Sequence, residues 1–161
     1  MFVISIGLTF RVVGASFKNQ FTNMKKPFTR VNYPFDDLTQ KIKSQTGFTG
    51  GLIVSNNRFI AGNLHLHFPD STAIIPNYRF ELLPDAARYK TAIAIWNADR
   101  FPHIPDELAT FLKKIYHINE SDFQVKYFSL CYKYGRTEKI KFGVIRFPVV
   151  LANEDAGERV K

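Results

Sequence analysis

The chain has 161 residues, 45% of them hydrophobic and 22% charged, which suits one domain with a sizeable core and excludes an intrinsically disordered chain. Its single cysteine, Cys131, excludes a disulfide framework and a four-cysteine zinc site, and no apolar run reaches the roughly 18–20 residues needed to cross a bilayer. With 22 Lys+Arg against 14 Asp+Glu the formal charge is +8, a balance that favours polyanionic partners, whether nucleic acid or an acidic protein surface.

Met1–Phe10 is apolar, but no basic residue precedes it, Arg11 interrupts it, and no small-residue cleavage site follows. It reads as a buried strand, and a cytoplasmic location is expected. A second possible start, Met24, opens the segment Met24-Lys25-Lys26-Pro27. The surplus of positive charge is greatest in residues 1–48, where Lys25, Lys26 and Arg30 sit in a polar, proline-flanked stretch. Residues 1–34 therefore read as a strand plus a basic connecting arm. Asp36 to Thr46 reads as a short helix, with Asp36 and Asp37 at its positive dipole end and Gly47 as its stop.

The next fifty residues read as strands. Gly51–Ser55 and Arg58–Phe68 flank Asn56-Asn57, a pair that tolerates a tight hairpin turn. Thr72–Leu83 follows Pro69-Asp70-Ser71, and Tyr89–Trp96 carries apolar groups on both faces, as a central strand does. Pro105 to Ile118 has the pattern of an amphipathic helix, with Leu108, Phe111, Leu112 and Ile115 on one stripe. Tyr116 lies about 90° from the centre of that stripe. Phe123–Tyr134 and Thr137–Phe147 read as two final strands, in the first of which Cys131 reads as a small buried hydrophobe. The expectation is a single α+β domain over residues 1–148, with a mainly antiparallel sheet of six or seven strands packed by two helices. A polar tail follows over residues 149–161.

His65-Leu66-His67 carries the most specific chemistry. On a strand, residues two apart share a face, so both imidazoles project together while Ile60, Leu64, Leu66 and Phe68 occupy the other face. Two imidazoles hold a divalent metal when a third donor approaches, and Glu81, on the polar side of the next strand, is a candidate for it. The same pattern equally fits two histidines on the wet face of an amphipathic strand. A His-hydrophobic-His pair on a sheet strand, followed by a tyrosine on a later helix, is similar to the HUH single-strand nickases. That resemblance implies a divalent metal, Mn or Mg, on His65 and His67, with Tyr116 as the nucleophile that keeps a covalent phosphotyrosine link. It also implies a mobile-element or phage setting.

The C-terminal hairpin interleaves basic and aromatic groups: Lys126, Tyr127, Phe128, Tyr132, Lys133, Tyr134, Arg136, Lys139, Lys141 and Arg146. Flat rings stack unpaired bases and cations follow phosphates, although aromatics and lysines are also ordinary strand and edge residues. The chain is therefore expected to be a small basic nucleic-acid-binding domain with no membrane contact. The alternatives are the tyrosine nickase and a non-enzymatic module that binds an acidic protein partner.

Overall fold

The computed structural model describes residues 32–76, 88–119, 122, 124–133 and 137–149. The Met1–Phe10 strand, Lys25, Lys26, Arg30, Glu81, Tyr134, Arg136 and almost all of the 149–161 tail lie outside them. Two compact units make up the chain, one of residues 1–34 with 130–140 and the other of 35–129 with 141–161. Within the first unit the Lys133 amide donates to the Asn32 carbonyl at 2.8 Å, and the Tyr132 amide to Glu138 at 3.1 Å. The rings of Tyr33 and Tyr132 meet edge-on at 5.8 Å.

In chain order the elements are α1 (Phe35–Thr46), β1 (Gly51–Val54), α2 (Arg58–His67), β2 (Ser71–Ile74), β3 (Thr91–Asn97), α3 (Asp106–Tyr116), β4 (Lys126–Cys131) and β5 (Lys139–Pro148). The fold is mixed α+β, with three helices and one five-stranded sheet among the described residues, ordered β2-β1-β3-β5-β4. Against the expected six or seven strands, five are present among the described residues, and the mainly antiparallel sheet is a mixed one. β1 runs parallel to both β2 and β3, and only beyond β3 does the pairing with β5 turn antiparallel.

One element accounts for the change in the sheet's pairing, and the Met1–Phe10 strand lies outside the described residues. Residues 58–67 form a helix, not a strand. Ile60, Leu64 and Phe68 are spaced by four, which puts them on one face of a strand and equally on one face of a helix. What decides between the two is the rest of the segment. It has a single β-branched residue, Ile60, so it has little strand preference. Asn57 caps the helix, its Oδ1 accepting from the amides of Phe59 at 2.9 Å and Ile60 at 3.4 Å. Ala61 is buried, and Leu66, which a strand would have placed on the core face, is 77% exposed. With a helix between them, β1 and β2 pair in parallel as a βαβ unit, where the expected hairpin would have paired β1 antiparallel with residues 58–68.

Period two divides the buried strands into two faces. Leu52, Val54, Ala92, Ala94, Trp96, Ile145 and Phe147 pack with Leu108, Leu112 and Tyr116 of α3. The opposite face, with Ile53, Ile93, Ile95 and Val144, is covered by α1 and α2. Arg146 lies on this second face and donates to the Thr46 carbonyl at 2.6 Å, while the Lys126 ammonium donates to the Gln45 carbonyl. Two cations thus meet the negative end of α1, where Gly47 turns the chain at φ +68°. The α3 stripe is centred on Leu108, Leu112 and Tyr116, with Phe111 and Ile115 only partly buried. Tyr116 therefore belongs to the core, not to the edge of the stripe. No helix among the described residues is long and apolar enough to cross a membrane.

Candidate functional site

The predicted metal pair is taken apart by α2. At about 100° per residue, side chains two apart on a helix diverge by roughly 200°. His65 accordingly turns to Ser71, its Nδ1 3.4 Å from Oγ, while His67 turns to α1, its Nδ1 3.7 Å from Asp36 Oδ1. Among the described residues, no three His, Cys, Asp or Glu side chains come together as a metal-binding group. Tyr116 lies on the other side of the sheet, 5% exposed, with Phe147 at 5.4 Å and Phe111 at 6.1 Å between ring centroids. The strand geometry behind the nickase resemblance is absent, and its histidines and tyrosine are not brought to one place.

The aromatic and basic residues of the hairpin also separate by parity. Phe128, Leu130 and Tyr132 point inward, whereas Tyr127, Ser129 and Cys131 point outward. Tyr132, 7% exposed, is spent on Tyr33, so its ring is not presented to solvent. Cys131 is exposed, correcting its reading as a buried hydrophobe. Lys126 is committed to the end of α1. Lys133, Lys139 and Lys141 are exposed, the last two alternating with buried Ile140 and Phe142.

Two of these outward groups, Tyr127 and Lys141, meet beside the loop that runs from β3 to α3. Tyr127 is 42% exposed, one of the two large hydrophobic side chains left open among the described residues. Its position is fixed from three directions. Its hydroxyl donates to the Pro102 carbonyl at 2.9 Å, and its ring meets the buried Trp96 edge-on at 6.5 Å. The Lys141 ammonium stands over the ring, 4.5 Å from the centroid. Trp96 is itself held, its indole N–H donating to the Phe101 carbonyl at 2.9 Å.

The adjoining loop adds a second cation, Arg100, and a carboxylate, Asp99, that is tied to a backbone amide. Asn97 Oδ1 accepts from the amides of Asp99 at 2.9 Å and Arg100 at 3.1 Å, which closes the turn at the end of β3. Asp99 Oδ2 accepts from the Lys141 amide at 2.9 Å. The Arg100 guanidinium lies over the Phe101 ring at 5.2 Å. Tyr127 thus carries the Lys141 ammonium over its ring, and Arg100 stands over the neighbouring Phe101. Tyr127 was visible in the sequence as one aromatic among many. Arg100 was not singled out, because the loop that carries it has no repeating pattern.

Comparison of the chain with protein-family models, with curated proteins and with solved structures finds no match.

Proposed function

We propose that this protein binds single-stranded nucleic acid, stacking a base on Tyr127 and pairing neighbouring phosphates with Lys141 and Arg100. The observation that carries this reading is the Tyr127 ring, open to solvent, anchored at its hydroxyl and topped by an ammonium group. A base that takes the ring face displaces the ammonium, which then meets a phosphate. The contact given up is an exposed cation–π pair worth about 0.5–1 kcal/mol, less than the roughly 1–3 kcal/mol per stacked base. The formal charge of +8 supports the reading.

Tyr127→Ala is expected to weaken binding of a short single-stranded DNA by roughly tenfold, read by fluorescence anisotropy, because one stacked base is lost. Tyr127→Phe keeps the ring and should stay within about twofold of the parent. Lys141→Gln should weaken single-stranded and duplex DNA alike, since it removes a phosphate contact and no base contact. If Tyr127→Ala binds as the parent does, with an unchanged unfolding temperature, the stacking plate is not the site. Capture of an acidic protein partner in place of DNA would overturn the proposal.

A further inference from the structure

A second opening lies in the same unit, at the amino ends of the three parallel strands. It is a cleft of about 580 Å3 between the starts of β1, β2 and β3, within the range of small-molecule sites. Parallel register forms it, by setting Gly51 beside Ser71 and Leu52 beside Ala92, so that three distant segments of chain end at one level. Gly50 and Gly51 contribute no side chain to it, and the Gly51 backbone approaches the Thr91 carbonyl too closely for any Cβ.

The wall is polar, in contrast to the mostly apolar lining of a typical ligand pocket. The Thr72 and Tyr89 hydroxyls share one hydrogen bond at 2.6 Å, in which either can donate. One of their two O–H groups is therefore left over for a ligand. Thr91 Oγ1 donates to the Gly50 carbonyl at 3.1 Å and keeps its lone pairs. Arg88 and Lys90 bring two exposed cations to the cleft, against the one carboxylate of Asp70. Arg88 lies 5.9 Å from the Tyr89 ring centroid.

We infer that this cleft binds a phosphate monoester of a hydroxyl-bearing small molecule, the phosphate on Arg88 and Lys90 and the hydroxyls on Thr72 and Tyr89. A fork of guanidinium donors matches two phosphate oxygens, and the two cations outnumber the single carboxylate of Asp70. The neutral hydroxyl wall suits a sugar better than an apolar chain. The inference stands on different residues from the Tyr127 plate and does not depend on it.

The test is calorimetry on the full chain at fixed ionic strength with four probes: inorganic phosphate, ribose 5-phosphate, adenosine 5′-monophosphate and adenosine. Ribose 5-phosphate is expected to bind one site at least tenfold more tightly than phosphate alone, and adenosine at least tenfold more weakly than its monophosphate. Arg88→Gln should weaken ribose 5-phosphate at least tenfold with an unchanged unfolding temperature, since Arg88 is exposed. Thr72→Val should weaken ribose 5-phosphate but leave inorganic phosphate unchanged, and Tyr127→Ala should alter neither. Equal binding of adenosine and its monophosphate would overturn the inference. So would no heat from any phosphate at millimolar concentration, or an Arg88→Gln variant that binds like the parent.

Discussion

Alanine at position 143 is expected to cost about 3 kcal/mol, near the upper end of what overpacking a core costs. Gly143 stands directly opposite Trp96 in the antiparallel pairing of β3 with β5. A Cβ there would lie 2.2 Å from Cζ2 and 2.3 Å from Cε2 of the indole. The indole cannot swing clear, because it is fully buried and its N–H is held by the Phe101 carbonyl. A chain of this size should lose roughly 6–12 °C in unfolding temperature. The cause is checked by a second background. In Trp96→Leu the six-membered ring is gone, and adding Gly143→Ala should then cost less than about 1 kcal/mol. A Gly143→Ala single variant that unfolds with the parent would show that the indole does not sit over this residue. Because Tyr127 rests on the same indole, Gly143→Ala should also weaken single-stranded DNA binding in the fraction that remains folded.

Gly51→Ala is expected to cost about 4 kcal/mol, combining backbone strain with a clash. Its φ of +136° is open only to glycine in practice, and a Cβ would lie 2.1 Å from the Thr91 carbonyl oxygen. That neighbour is backbone in a paired strand, so relief means pulling β1 from β3 at the register Leu52↔Ala92. Chemical denaturation should show a large fall in midpoint or no folded baseline at all. Gly62 is the control: it lies mid-helix in α2, with nothing within 4 Å of an added Cβ. Gly62→Ala should stabilise by about 0.5–1 kcal/mol, as it does in helices generally. Loss of stability in Gly62→Ala would contradict the helical assignment of residues 58–67.

Where sequence and structure part, the physical reasons are local. The helix over 35–46 was legible because its signals agree: carboxylates in the first turn, a thin apolar stripe and a glycine stop. The β3 and α3 segments were legible for the same reason. Residues 58–67 were not, since a spacing of four satisfies both periods and Asn57 is as good a helix cap as a turn residue. That one ambiguity propagated. Read as a strand, the segment formed a hairpin with β1, put His65 and His67 on one face and hid the alignment of Gly51 with Ser71 and of Leu52 with Ala92. Tyr127 and Tyr132 were separable in principle. They fall on opposite parities of the hairpin, and buried Phe128 and Leu130 mark the inward one. The loop carrying Arg100, and the segment from Arg88 to Lys90, give no periodic signal. The roles proposed for them rest on where the strands end.

The central claim is that phosphate contacts and a stacked base hold single-stranded nucleic acid to this surface. Its most direct test is a salt titration of the unmodified chain with short single-stranded DNA, single-stranded RNA and duplex DNA. Counterion release predicts that affinity for the single strands falls at least tenfold between about 50 and 200 mM salt. Stacking predicts that single strands are preferred over duplex at every salt concentration, because a paired base cannot reach the Tyr127 ring. Binding that ignores salt, a preference for duplex, or no binding at about 50 mM salt would contradict the account.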